Sequence, residues 1–213
     1  MNSDTNINGY KFHNADAQPA SILLSPHLLR FLQMKQAQNA QPIRVFDLGC
    51  GNGAMANLVN EAGYSIAGID PSQTGISQAN KAYPSLDLTI GSAYDDLASR
   101  FGSFDLVYSF EVVEHLYDPQ KYAQTLFELL RPDGIALVST PYHGYLKNLL
   151  LAATGKMDSH FTALWVHGHI KFWSIRTLSQ LLGDAGLSVS DVIRVGRVPP
   201  LAKSMLAVAH KPT

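Results

Sequence analysis

The sequence predicts an α/β fold, doubly wound around a mostly parallel sheet. Three observations predict it. Short runs of β-branched and apolar residues alternate with helical segments of about 10–15 residues. The first such run ends in a glycine-rich turn, Gly49-Cys50-Gly51-Asn52-Gly53. The rhythm breaks after Thr140, and two further strand-like runs follow near the end of the chain. With 213 residues, 46% of them hydrophobic and 15% charged, the chain can bury a substantial core and is not generally disordered. A single domain over 1–213 is expected, with an N-terminal arm and helices in 1–40 and an insertion at 141–173.

The elements follow in order. Residues 1–17 are polar and expected to be mobile at their start. From Pro19 to about Gln38 the apolar residues fall at mixed helical spacing, and Pro26 predicts two short helices rather than one. Ile43–Leu48 is a strand, Asn52 to about Glu61 a helix ended by Gly63, and Ser65–Ile69 a second buried strand stopped by Asp70-Pro71. Ser72 caps the next helix, which runs to about Tyr83. Leu86–Ile90 and Phe104–Phe110 are strands three and four. Pro119–Leu130 is an amphipathic helix closed by Arg131-Pro132-Asp133-Gly134, and Ile135–Thr140 is strand five. Ser174 caps a helix to about Ala185, with Gly186 past its end. Leu187–Val198 and Ser204–His210 are two strands joined through Pro199-Pro200.

Charge and cysteine content exclude several function classes. Sixteen Lys+Arg against seventeen Asp+Glu give a net charge of −1, unlike a nucleic-acid-coating or polybasic membrane protein. The one cysteine, Cys50, forms neither an internal disulfide nor a cysteine zinc cluster. The first residues show no basic and apolar leader pattern, and no apolar run reaches the ~20 residues of a membrane span. A cytoplasmic, reducing location is the expectation.

In an open α/β sheet, ligands sit beyond the carboxyl ends of the strands, near the point where strand order reverses. Gly49, Gly51 and Gly53 permit a tight strand-to-helix turn there and let a ligand approach bare backbone. Asp70, at the end of strand two, is placed to accept hydrogen bonds from a ribose hydroxyl pair. Two ligand classes fit. Gly49, Gly51 and Ala54 satisfy the looser dinucleotide pattern G-x-G-x-x-G/A, which leaves an NAD-dependent oxidoreductase open. Asp47, however, puts negative charge near where a pyrophosphate would lie. A ligand that is cationic or neutral there, such as S-adenosylmethionine, matches it better.

At these residues the sequence resembles a family. VFDLGCGNG (45–53) is similar to motif I of the class I S-adenosylmethionine-dependent methyltransferases, and GIDPS (68–72) to their motif II. GSAYDDL (91–97), FDLVYSFEVVEHLYDP (104–119) and LLRPDGIALVSTP (129–141) resemble the motifs that follow, in order and at the expected spacing over roughly residues 40–190. The resemblance implies a Rossmann-like, seven-stranded sheet with a C-terminal antiparallel hairpin. It implies that Gly49, Gly51 and Gly53, with Cys50 between them, contact the methionyl part. Asp47 would hold its ammonium, Asp70 beside Pro71 the ribose, and Ser92 and Ala93 the adenine. Phe110 and Glu111 would line the methyl-donating end. Ser92 stands where many relatives carry Asp.

A second signature follows strand four. Glu111-Val112-Val113-Glu114-His115 is expected to open a short helix, whose i, i+3, i+4 spacing puts Glu111, Glu114 and His115 on one face. With His167 or His169 they form a candidate site for a divalent cation such as magnesium or zinc. The combination resembles the ubiquinone-biosynthesis O-methyltransferases, and also the small-RNA 3′-end 2′-O-methyltransferases, whose metal would orient oxygens and lower a hydroxyl's pKa. Without metal, Glu114, His115 or His143 would serve as catalytic residues, or positioning alone would suffice, since sulfonium is an activated donor.

The acceptor side is expected in segment 141–173, which carries Tyr142, Tyr145, Phe161, Trp165, Phe172 and Trp173 and few charges. An apolar or aromatic small molecule is favoured over a nucleic-acid strand. Tyr10 and Phe12 are expected to close over the cofactor from the other side. The run Leu149–Ala153 with flanking lysines offers a peripheral membrane contact, which burial of Leu149–Leu151 would remove. Methylation of an RNA 3′ end and a non-catalytic binding role stand as alternatives. The sequence leaves the oligomeric state open.

Overall fold

The computed structural model describes residues 10–161 and 163–213. The mobility expected at the start of the chain falls largely on residues 1–9, outside the described residues. Seven strands form one sheet in the order β3-β2-β1-β4-β5-β7-β6. They are β1 (Arg44–Leu48), β2 (Ser65–Asp70), β3 (Asp87–Ile90), β4 (Phe104–Phe110), β5 (Leu130–Pro141), β6 (Ser188–Val195) and β7 (Ser204–His210). The first five pair in parallel, and β7 lies antiparallel to both β5 and β6. This is the doubly wound sheet with the C-terminal hairpin.

Helices cover both faces, so the central strands read as continuous apolar runs. One face packs against α1 (Pro19–Ala37), α2 (Ala54–Glu61) and α3 (Gln73–Ala82), through Leu24, Leu28, Leu32, Val59 and Ile76. The other packs against α4 (Leu97–Phe101), α5 (Pro119–Leu129) and the later helix Ile175–Asp184, through Leu97, Leu126, Leu129, Leu178 and Leu182. Between β5 and that later helix lie α6 (Tyr145–Ala153) and α7 (Met157–Phe161), which makes Ile175–Asp184 α8. No helix among the described residues is long and apolar enough to cross a membrane.

Four local expectations are corrected. Pro26 does not divide the first helical segment: α1 runs unbroken across it. Proline has no N–H to give the carbonyl of Ile22, and the hydroxyl of Ser25 donates to that carbonyl instead at 3.1 Å. Second, α4 had no sequence signal; its five residues are too few to show a helical period, although Asp96 caps it by accepting from the Ser99 N–H. Third, β5 begins at Leu130, ahead of the expected turn, with Asp133 at φ +60°. Fourth, no helix opens at Glu111. That residue has φ +55°, and the helical hydrogen bonding after it amounts to a 3-10 turn, Val113–His115.

Candidate active site

Strand order reverses between β1 and β4, so the segments leaving these two strands face each other across a crevice. The turn after β1 needs its glycines for two reasons. Gly49, Gly51 and Gly53 have φ of +98°, +53° and +78°, a region that other residues enter at a cost. A Cβ on Gly49 would also clash with the Val112 side chain, and one on Gly51 would stand 2.7 Å from the Phe12 ring. Cys50, between them, is buried. Asp70 closes the turn: its carboxylate accepts from the Gly51 N–H at 2.9 Å and from the Ser72 N–H at 2.7 Å. A carboxylate has about four lone-pair directions, so two stay open for hydroxyl donors. Burial pushes its pKa up to about 6. Pro71, half-buried, leads into α3, which Ser72 caps by accepting from the Gly75 N–H at 3.0 Å.

The N-terminal arm lies along this turn. The side-chain amide of Asn52 donates to the carbonyls of Asn14 and Asp16, at 3.0 and 2.8 Å, and the Phe12 N–H donates to Thr74 at 3.1 Å. Asn52 therefore holds the arm, a role that the motif's spelling does not reveal. Tyr10 sits edge-on to Trp165, with ring centroids 6.1 Å apart.

Asp47 is fully buried and accepts a hydrogen bond from the Tyr108 hydroxyl at 2.7 Å. Burial, then the nearby Asp70 charge, push its pKa up to about 8, with the Tyr108 hydrogen bond opposing them. Sequence reading missed Tyr108. The signal was present: a tyrosine inside a buried central strand must satisfy its hydroxyl, and Tyr108 is Asp47's partner in the β1–β4 register. Ser92 and Ala93 lie past β3. The Ser92 N–H donates to Asp95 at 2.8 Å, and Ala93 is buried.

The residues after β4 fall into two groups. Glu111 takes a left-handed conformation and contributes no donor atom to the cluster below, although its charge reaches Glu114. Its side chain accepts from the Ser139 hydroxyl at 2.8 Å, and burial pushes its pKa up to about 7. Phe110, at the strand end, packs against Tyr108 with ring centroids 5.1 Å apart. Glu114, His115 and His169 come together: one donor atom from each lies within 4.8 Å of the others. Glu111 and His167 are not in this group. His167, at φ +65°, lies in the approach loop, and His169 reaches the cluster because the Ile170 and Lys171 N–H groups both donate to the Glu114 carbonyl, at 2.9 and 3.0 Å.

The chemistry of the cluster suits a cation. Both carboxylate oxygens of Glu114 are buried without a close hydrogen-bond partner, the Thr140 hydroxyl acting on them only weakly, a costly arrangement unless something else meets them. Burial and the Glu111 charge hold its pKa well up. Burial holds the His115 and His169 imidazoles neutral, His169 down to about 4, so their nitrogens keep the lone pairs a metal needs. His115 Nδ1 lies 3.3 Å from the Gly168 carbonyl, and donation there leaves Nε2 bare, 4.0 Å from Glu114 Oε1. These residues fit a divalent ion. Two nitrogens and one oxygen suit zinc, manganese or iron better than magnesium, which prefers oxygen donors.

Against His169 opens a cavity of about 500 Å³ lined by His143, Asn148, Phe161, Ala163 and Phe172. Phe161 and Phe172 meet edge to face with centroids 4.9 Å apart, and His143 stacks on Phe161 at 5.8 Å. His143 Nδ1 and Asn148 Oδ1 are buried with no partner at close hydrogen-bond distance, although the Asn148 side chain acts on the His143 ring. Burial and the Lys147 charge lower the His143 pKa to about 4. Leu149 and Leu150 are exposed, so the burial that would have removed the membrane contact is not observed.

A seven-stranded sheet in this order, with a glycine turn after β1, an acid at the end of β2 and an antiparallel final hairpin, defines a class I S-adenosylmethionine-dependent methyltransferase fold. Residues 20–192 match the model of the family described as "Methyltransferase domain", and the chain belongs to that family. A ubiquinone biosynthesis O-methyltransferase of Caulobacter vibrioides is 34% identical over 128 residues, covering 58% of this chain and 49% of the relative. The same-named protein of Thiobacillus denitrificans is 28% identical over 182 residues, covering 82% and 78%. A TehB-like methyltransferase structure from Corynebacterium glutamicum superimposes with a TM-score of 0.61 at 16% identity, covering 84% and 86%, a likeness of fold. The chain spans 49% to 64% of the length of several curated relatives that it matches. The family match selects the methyl donor over the dinucleotide.

Proposed function

We propose that this chain transfers a methyl group from S-adenosylmethionine to a hydroxyl oxygen of a small aromatic acceptor, with a divalent cation at Glu114, His115 and His169. One observation carries the reading: a buried, unpartnered carboxylate and two neutral imidazoles meet at the edge of an aromatic cavity, on the side of the sheet where the glycine turn lies. Gly49, Gly51, Gly53 and Asp70 form the cofactor's cradle, with Asp47 beneath it and Ser92, Ala93 and Phe110 along its sides. A bound cation would lower the pKa of an acceptor hydroxyl and fix its direction. Phe161 and Phe172 would stack the acceptor ring, while His143 Nδ1 and Asn148 Oδ1 would meet its other polar groups. Glu111, held by Ser139, would shape the methyl-donating end. The segment 141–173 acts as the acceptor's cover, and the exposed Leu149 and Leu150 suit a contact with a lipid surface. The net charge of −1 argues for a small molecule over an RNA end. A cytoplasmic location rests on the bacterial relatives and the single thiol.

The test is calorimetric titration with S-adenosylhomocysteine, then a methyl-transfer assay over hydroxylated aromatics with zinc, manganese, magnesium or EDTA. Binding in every condition, with turnover only when a cation is present, is expected. Full turnover in EDTA would remove the metal from the reading. Absence of binding throughout would overturn the methyl donor itself.

A further inference from the structure

Asp47 and Tyr108 are a buried acid and a buried phenol, joined across adjacent strands by a 2.7 Å hydrogen bond. Among the described residues no lysine, arginine or histidine comes within salt-bridge distance of Asp47. The titratable groups around it are Tyr108 from β4, Asp70 from β2 and the Cys50 thiol in the turn. None of them supplies positive charge. A carboxyl group so enclosed keeps its proton until a cation arrives. The S-adenosylmethionine reading brings that cation, the ammonium of the methionyl part, to the glycine turn directly above.

We propose that Tyr108 is a positioning residue for the cofactor, aiming the Asp47 carboxyl at the ammonium, and that cofactor binding expels the Asp47 proton to solvent. The balance is simple. The Asp47 O–H bond breaks, the proton leaves to water, and the carboxylate left behind pairs with an ammonium that is already charged. Tyr108 acts throughout as the donor. Its hydrogen bond favours the ionised acid, and so lowers the cost of releasing the proton. The inference rests on the methyl-donor reading and adds to it a proton linkage and a residue, Tyr108, to which the sequence motifs assign no role.

The sign follows from the free protein's Asp47 pKa of about 8. Below that value the free site holds the proton and the bound site does not, so affinity rises with pH and levels off above it. Asp70, with a pKa of about 6, is mostly ionised across the window, and Glu111, at about 7, titrates inside it in the wild type and in Asp47→Asn alike, so the difference between the two counts the Asp47 proton.

The experiment is calorimetric binding of S-adenosylhomocysteine between pH 6.5 and 8.5, in buffers of differing ionisation enthalpy that count released protons. For the wild type we expect close to one proton released at pH 7 and affinity rising severalfold toward pH 8. Tyr108→Phe is expected to bind about tenfold more weakly at pH 7, the scale of a lost hydrogen bond to a charged group, and its affinity rise moves to higher pH. A purely structural tyrosine would weaken binding without moving that rise. Asp47→Asn, nearly isosteric, is expected to release about one proton fewer than the wild type at pH 7 and to lose the affinity rise centred near pH 8. It keeps the test open should Tyr108→Phe fold poorly. Wild-type binding without proton release, or a Tyr108→Phe profile that overlays the wild type, overturns the proposal. A wild type that binds at no pH overturns the methyl-donor reading, and this inference with it.

Discussion

Glu114 carries a carboxyl group with 1% of its surface exposed and neither oxygen hydrogen-bonded. Such a group destabilises the cation-free fold, because its desolvation is not repaid by a partner. Glu114→Leu, similar in volume, is therefore expected to stabilise the metal-free protein by about 1–3 kcal/mol. The same variant is expected to lose any rise in melting temperature that zinc or manganese confers on the wild type. A variant less stable than the wild type in EDTA would show that Glu114 has a protein partner and is no cation ligand. At this scale the sequence was half legible. Glu114, His115 and His169 were candidates because their side chains have ligand chemistry. Grouping Glu111 with them assumed a helix, and a residue at φ +55° ends the i, i+3 relation. The choice between His167 and His169 depended on the backbone bonds to the Glu114 carbonyl, which no spacing rule encodes.

Among elements, α1 shows how local chemistry overrides a general rule. Its proline leaves the Ile22 carbonyl without a backbone donor, and the Ser25 hydroxyl substitutes for one. Pro26→Ala restores the N–H and removes the ring's crowding of the preceding turn. It should raise unfolding stability by at least about 1 kcal/mol, a fraction of the ~3 kcal/mol that an interior proline costs. Equilibrium denaturation in urea reads this directly, and an unchanged midpoint would mean that the serine bond compensates in full. The strands were the most legible elements, since burial on both faces leaves a continuous apolar run that polar turns interrupt. The caps at Ser72 and Ser174 were legible too, because a hydroxyl before a helix has one obvious use. The lid was not, since α6 and α7 bury none of their residues and so carry no apolar period to read.

Across the whole molecule, the site stores its cost in groups held in the wrong protonation state for neutral water. Asp47, Glu111 and Glu114 have pKa values raised by burial, to about 8 for Asp47 and about 7 for Glu111. A carboxyl raised above its unfolded value stabilises the fold at low pH and loses that contribution as pH climbs through the folded value. His143 and His169, lowered to about 4, act in the opposite sense. Their stabilising contribution is present above pH ~6.5 and is lost as pH falls toward 4. Between about 4 and 6.5 the two sets oppose each other, whereas from 6.5 to 8 the acids act alone. The ligand-free protein is therefore expected to lose melting temperature steadily from pH 6.5 to 8, as buried carboxyls are forced to ionise. Saturating S-adenosylhomocysteine together with zinc supplies positive charge beside Asp47 and Glu114, and should flatten or reverse that slope. Differential scanning calorimetry at half-unit pH steps, with and without both ligands, separates the outcomes. A ligand-free melting temperature that is level or rising over this range would mean that the buried acids already have cationic partners, and that the charge in this fold is complete without its ligands.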